Sequence, residues 1–552
     1  MNDKDRGAAE ERDVIYGGAG KVVSKEKEHI NNWRGRKPLT GIALSGGGIR
    51  SASFCLGALQ ALAYGRWLPE FDYLSTVSGG GYIGTSLSYF LHYSKKNKKS
   101  DTPKFDVSKS KFPYRSHQVA GALKGASEDG SLLDRLRQNP KYLAPGKGIT
   151  LWSLIGVVLR NSVTSVFVYL ALSVLILVFS IGINSFGLDG ALRPLAWKDN
   201  YLLIVSVVVF GVYALLSVAY VPFTGVFEWL KGGRTSPVAY WMRRGYEQTT
   251  HWALRAGSLF LIVALLPWVH DYLTAQYALY VSTGGSILGI LSSVWAYLQT
   301  SSVKKPKIPT GVIVAIASVL LLFGVLLLAF HIAHELHQPE SWWNRPDSGW
   351  TQFIDALHMP RGWTTQAIIL GALLFVFGWL PNANYVSVHR YYRDRLMETF
   401  MPGEEAIEHP DRQSGATWAG NATMIGEICG GKSPSKPKTF DGSCGPYHLI
   451  NTNVVLVSSS RPLYRGRGGD NFIFSPLYTG SRATGWMPTE ADPDRGGMTL
   501  ATAMAISGAA VNPNTGCGGE GVTRQRGLSL LMSLLNIRLG YWLKTPVVPE
   551  NS

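Results

Sequence analysis

The order of apolar and polar positions divides the chain into three textures. From Thr40 a short apolar run, Gly41–Leu44, meets a glycine cluster, and Ser51–Tyr64 then places Phe54, Ala58, Leu59 and Leu62 at helical spacing. The same grammar returns at once: a strand at Phe71–Val77, a Ser-Gly turn and a helix at Gly81–His92. Two strand–turn–helix units this close together predict an α/β layer with a parallel sheet. Residues 1–36 are polar and charged and read as a tail or a surface helix. The basic stretch 94–148 carries little signal.

From 149 to 381 the pattern changes in kind. Segments 165–186, 201–223 and 311–330 carry no charged residue. Each is long enough to cross about 30 Å of hydrocarbon. Segments 257–273, 277–298 and 365–381 are weaker candidates; the second contains Gly284, Gly285, Ser292 and Ser293 and reads equally as an interfacial or protein-buried helix. Helices apolar all round are rare in a soluble core. Loop charge orients the spans. Lys231, Arg234, Arg243, Arg244 and Arg255 in 224–256, and Lys304, Lys305 and Lys307 in 299–310, mark cytoplasmic loops. Segment 331–364 is acidic, with Trp342, Trp343, Trp350 and Trp363 as interface anchors, and reads as outside. Six crossings with both soluble ends in the cytoplasm satisfy every loop; four do so if 257–298 never spans. After the last apolar stretch, ANYVSVHRYYRDRLMETFM reads as a basic amphipathic helix. Residues 451–460 and 471–477 read as strands, and 498–513 and 528–543 as helices.

Composition agrees with a membrane-associated chain. Of 552 residues 46% are hydrophobic and only 16% charged, against about 25% charged in soluble domains. Lys and Arg exceed Asp and Glu by 53 − 37 = 16, a balance suited to an anionic lipid surface or a nucleic acid. No nucleic-acid-binding signature accompanies it. Cys55, Cys429, Cys444 and Cys517 form no CxxC pair, which argues against a zinc finger or a disulfide scaffold. The first 30 residues lack an apolar core segment, which argues against a signal peptide. His334 and His337 flank Glu335, but HExxH is absent and no metal is expected.

Two pieces carry chemistry. Ser78 follows a strand and precedes Gly79-Gly80-Gly81 and a helix, the setting of a nucleophile raised above a sheet edge. The G-x-S-x-G pattern lacks its first glycine, since Thr76-Val77-Ser78-Gly79-Gly80 stands there. A Ser-Gly turn is also a common structural turn. The second piece is Ser45-Gly46-Gly47-Gly48-Ile49-Arg50. Consecutive glycines ahead of a helix can turn backbone N–H groups towards an anion, either a phosphate or a tetrahedral oxyanion. Neither GxxxxGK[ST] nor GxGxxG is matched.

Taken together, SGGGIR followed by a strand ending in VSGGGY resembles the patatin-like phospholipase family. NTNVVLV, FIFSPLYTGSR and AMAISGAAVNP look like the second half of long bacterial members, in which a membrane block splits the patatin domain. The resemblance implies an α/β patatin-like domain with a parallel-sheet core, interrupted by a multi-pass helical region. Its parts would be 1–36 as a tail, 37–148 as the first half, 149–381 as the membrane region and 382–552 as the second half. It implies lipid acyl hydrolysis by a Ser–Asp dyad without a cofactor or metal, on membrane phospholipid or lysophospholipid. Ser78 would be the nucleophile, Gly46, Gly47 and Gly48 the oxyanion donors, and Arg50 the residue steadying that loop. The implied setting is the bacterial cytoplasmic membrane, with the α/β part facing the cytoplasm. The family's D-G-G aspartate has no counterpart. Asp189-Gly190-Ala191 falls in a loop across the bilayer, Asp441-Gly442-Ser443 precedes the matching segment, and Asp470 has no motif around it. The catalytic aspartate is therefore unknown, and the resemblance would put it beyond Ser552, as in a shortened chain. The alternative is an inactive patatin-like protein that binds lipid or a protein partner.

Overall fold

Residues 18–32 form a helix, α1, that buries Val22, Glu26 and Ile30 at helical spacing. The apolar run Gly41–Leu44 is strand β1, followed by α2 (Gly48–Tyr64), β2 (Tyr73–Val77), α3 (Ser78–Lys96) and the short α4 (Leu132–Gln138). The helices expected at Ser51 and Gly81 both begin three residues earlier. The computed structural model describes residues 18–32, 39–96, 105–107, 111–114, 132–139, 142–143, 151–184, 203–216, 237–272, 310–337, 349, 351–352, 363–379, 382–403, 418–428, 445–456, 462–464, 468–489, 498–513 and 526–543. Apolar helices follow: α5 (Leu151–Asn184), α6 (Leu203–Leu216), α7 (Pro237–Tyr272), α8 (Thr310–His337) and α9 (Trp363–Leu374), the last continuing as a π-helical turn, Phe375–Trp379. The chain then forms α10 (Ala383–Val386), α11 (Val388–Phe400), α12 (Trp418–Ala422), β3 (Tyr447–Val455), β4 (Gly469–Phe474), β5 (Tyr478–Ser481), β6 (Gly485–Pro488), α13 (Leu500–Ser507) and α14 (Arg526–Leu534).

The chain divides into two compact units, one of residues 1–162 and 382–552, the other of 163–381. The first holds a six-stranded sheet in the order β1-β2-β3-β4-β5-β6. β1 and β3 both run parallel to β2, with Leu44 beside Thr76 and Val77 beside Asn451. The β3–β4, β4–β5 and β5–β6 pairs are antiparallel. The sheet is therefore mixed, where the α/β pattern predicted a parallel one. The reason is local for β4 through β6, whose three-residue connections permit only antiparallel neighbours, whereas parallel strands need a crossover of a dozen or more residues; β3 and β4 are joined by a longer segment, 456–468, and pair antiparallel through Ile450–Val455.

Alternation along the strands assigns the two faces. Leu74, Thr76 and His448 face α3, and the core continues through Tyr82, Leu87, Tyr392, Leu396, Phe400, Ala501 and Met504. On the other face Tyr447 packs edge-on against Tyr73 and donates a 2.9 Å hydrogen bond to Glu26 of α1. Burial pushes the Glu26 carboxyl upward in pKa, against the lowering effect of its bonds from Ser475 and Tyr447.

In the second unit, Val174 and Val178 pack with Ala329, Ala333 and Leu336, and Leu266 packs with Leu327 and Phe330. Among the described residues two helices are long and apolar enough to cross a membrane, Trp152–Val178 and Ala317–Leu336; 203–216, 252–266 and 365–379 are shorter apolar helices. The expected span 277–298 lies outside the described residues.

Two buried histidines give the first unit an acid-sensitive core. His448 is held between the Thr76 hydroxyl at 2.8 Å and the Ser88 hydroxyl at 3.0 Å, and burial lowers its pKa to about 3. His389 donates from Nδ1 to the Leu539 carbonyl at 2.7 Å, and burial lowers its pKa to about 4. Each folded-state value lies below the unfolded value of about 6.5, so the stability at stake is complete above pH 6.5 and is lost as pH falls below it. At pH 5 each histidine should cost about 2 kcal/mol. Glu26 acts in the opposite sense, since a raised carboxyl pKa favours the fold as pH falls. Melting curves at pH 7.5 and 5 should show a large downward shift, and His448→Gln should make the shift smaller. Equal shifts in both proteins would contradict the assignment.

Candidate active site

The C-terminal edge of β1 and β2 is where the predicted chemistry gathers. β1 ends at Leu44 and the chain runs through Ser45-Gly46-Gly47-Gly48 into α2; β2 ends at Val77 and Ser78 opens α3. Because the two strands are adjacent and parallel, the two turns lie side by side. A Cβ built on Gly46 would sit 3.0 Å from the Ser78 Cβ and 3.6 Å from its Oγ. The glycine loop thus lies against the candidate nucleophile.

Backbone conformation at both turns is unusual. Ser78 has φ +50°, a left-handed value that is strained for a residue with a side chain. Gly48 has φ +63°, and Gly47 has φ +146°. The start of α3 presses on the loop more closely than any side chain would allow. A Cβ on Gly79 would fall 2.0 Å from the Gly48 carbonyl oxygen, and one on Gly80 2.4 Å from that of Leu44. The Gly80 N–H donates to the Ser45 carbonyl at 3.2 Å, and the Ser51 hydroxyl donates to the same oxygen. The glycines of VSGGGY are needed for this close approach, which takes the place of the missing first glycine of the G-x-S-x-G pattern as the explanation of the turn.

Ser78 is half-buried, and Gly46, Gly47 and Arg50 are exposed. Arg50 sits on the first turn of α2, and among the described residues it makes no hydrogen bond to the loop. Of the aspartates considered, Asp189 and Asp441 lie outside the described residues. Asp470 is on β4, opposite Val454. Among the described residues no carboxylate is hydrogen-bonded to the Ser78 hydroxyl. β3 runs four residues beyond the end of β2 and pairs there with β4, so Thr452–Val455 continue past the edge that carries Ser78.

The motifs did not single out two residues that support the turn. The Ser78 N–H donates to the Ser507 hydroxyl at 2.9 Å, and Ser507 donates to the Asn451 carbonyl at 2.7 Å. The Asn451 side chain in turn donates to the Ser75 hydroxyl and the Thr76 carbonyl. A serine ending a small-residue helix was the available signal, but its partner is more than 400 residues away in the chain.

Residues 42–167 match the family model described as patatin-like phospholipase. Comparisons with curated proteins and with solved structures gave no match. The matched segment contains β1, the glycine loop, β2 and Ser78, and over that segment the chain is similar to the patatin-like phospholipases, a family of lipid acyl hydrolases.

Proposed function

We propose that the protein is a membrane-embedded serine lipid acyl hydrolase acting on phospholipid or lysophospholipid. The observation that carries this reading is the contact between Gly46 and Ser78 at a strained strand-to-helix turn. In the proposed reaction the Ser78 oxygen bonds to the acyl carbonyl carbon. Amides of Gly46, Gly47 and Gly48 hold the oxyanion. The tetrahedral intermediate collapses as the ester C–O bond breaks, the alcohol leaves carrying the Ser78 hydroxyl proton, and water then adds to the acyl-enzyme, one of its protons returning to the Ser78 oxygen as the fatty acid departs. Each oxyanion donor of this kind is worth about 3 kcal/mol in the transition state.

The lipid character of the substrate has separate support. Residues 41–69 contain no acid and only two charged side chains, Arg50 and Arg66. Phe54, on the same helix as the loop, is 79% exposed, and Trp67 is 64% exposed. Phe54 stands within two turns of the loop that precedes its helix, and an exposed aromatic there suits an apolar substrate or a bilayer surface. Membrane embedding is supported by the Trp152–Val178 helix, which is long, apolar and for the most part not buried within the protein. On this reading the helices of 149–381 cross the cytoplasmic membrane four or six times. The segments 37–148 and 382–552 then form one split patatin-like domain on the cytoplasmic side, consistent with β2 and β3 pairing in one sheet.

A second reading, an inactive lipid-binding member of the family, draws on the lack of a carboxylate bonded to Ser78 among the described residues. Fatty-acid release from phosphatidylglycerol-containing vesicles by the full chain separates the two. Release that a fluorophosphonate blocks supports the hydrolase, and no release from folded protein supports the binding reading. Phe54→Asp should raise the vesicle concentration for half-maximal rate by about 10-fold and leave a short soluble ester unaffected. Equal effects on both substrates would remove Phe54 from the lipid contact.

A further inference from the structure

We infer that Ser507 is a positioning residue that locks the amide of Ser78 and thereby aims its hydroxyl. The inference rests on Ser78 being the nucleophile. At Ser78 the chain leaves the ladder between β2 and β3, and as the first residue of α3 its N–H has no carbonyl a turn earlier to bond. Its partner is the Ser507 hydroxyl oxygen, at 2.9 Å. That hydroxyl's single proton is committed to the Asn451 carbonyl at 2.7 Å, so its lone pair is left to accept from Ser78. The direction of both bonds is therefore set. Asn451 is itself registered on the nucleophile's strand, since its side-chain amide donates to the Ser75 hydroxyl at 2.8 Å and the Thr76 carbonyl at 3.1 Å.

Ser507 is also held from behind. It ends α13, and the next residue, Gly508, lies under two tyrosine hydroxyls: a Cβ there would meet that of Tyr392 at 2.5 Å and that of Tyr82 at 2.7 Å. Tyr392 donates to the Gly508 carbonyl at 3.0 Å, and the two phenol oxygens are 2.6 Å apart. Tyr82 stands one turn beyond Ser78 on α3. One end of α13 is thus gripped by the helix whose first residue it positions. A consequence for the chemistry follows. The Ser78 N–H is occupied by Ser507, so an oxyanion must be met by other amides, those of the glycine loop among them.

The test is the rate of covalent modification of Ser78 by a fluorophosphonate in the full chain. Ser507→Ala should lower the limiting rate roughly 10- to 100-fold without changing the reagent concentration that gives half that rate. Ser507→Thr, which keeps the hydroxyl, should restore most of it, and Ser507→Val, the same shape without it, should behave like alanine. Wild-type rates in the Ala and Val variants would overturn the inference and leave Ser78 as nucleophile. A wild-type protein with no Ser78-dependent modification would overturn both. If Ser507→Ala does not fold, the Thr and Val pair decides: equal rates overturn the inference, and a faster Thr variant supports it.

Discussion

Ser78→Ala should reduce fatty-acid release by at least about 10³-fold, because on the proposed mechanism its oxygen forms the acyl-enzyme. Folding should be almost untouched. The Ser78 hydroxyl has no hydrogen-bonded partner among the described residues, so removing it strands no buried group there, and a change within about 0.5–1 kcal/mol is expected. Ser78→Gly makes the contrast sharper. At φ +50° a serine is strained and a glycine is not, so this variant should be as inactive as alanine and melt at a temperature no lower than the wild type. A residue held in a strained backbone that gains stability when removed, but takes activity with it, is the signature of a functional site. Residual turnover above a tenth of wild type in either variant would exclude Ser78 from the chemistry.

Gly79→Ala should be among the most damaging methyl additions at the described glycines. Its Cβ would lie 2.0 Å from the Gly48 oxygen and 2.8 Å from the Gly48 carbonyl carbon, both backbone atoms. The loop or the start of α3 must move, and overpacking of this kind costs about 1–3 kcal/mol or more. The move also separates the glycine amides from Ser78. Fluorophosphonate labelling should therefore fall to background even in protein that remains folded. Gly57→Ala is the matched control. Gly57 lies in the middle of α2 with nothing within 4 Å of its would-be Cβ. Alanine there should be neutral or stabilising by up to about 1 kcal/mol, with labelling unchanged. Similar labelling in the Gly79 and Gly57 variants would contradict the close approach of loop and elbow.

The site was legible in the sequence wherever its chemistry is local. SGGGIR and VSGGGY each follow an apolar run, and adjacent parallel strands bring two such turns together without further information. β1 is found at the residues predicted for it. Ser507 was not legible, because its role depends on a pairing of Val77 with Asn451 that no local pattern encodes. The antiparallel half of the sheet was only half visible. β5 and β6, YTGS and GWMP, are short and contain glycine or proline, so propensity argues against them while their pairing makes them. Two helices proved shorter than their periodicity. The amphipathic stretch after the apolar region breaks at Ser387, which takes an extended conformation, and beside it Asn384 bonds both backbone groups of Trp542. The helix expected over 528–543 stops at Leu534, because Asn536 adopts φ +52° and its carbonyl accepts from Asn161 at 2.7 Å. At Asn536 a polar side chain distant in sequence takes a backbone carbonyl the helix would otherwise use, and at the first break the Ser387 hydroxyl itself donates to the Asn384 carbonyl at 2.9 Å.

The most direct measurement is a peptide map of the full-length protein after treatment with a fluorophosphonate. The account predicts a single covalent adduct on Ser78, absent from heat-denatured protein and from the Gly79→Ala variant. An adduct on another serine, or none on Ser78 in a sample whose melting curve shows it folded, would contradict a glycine loop and a hydroxyl joined in one reacting centre.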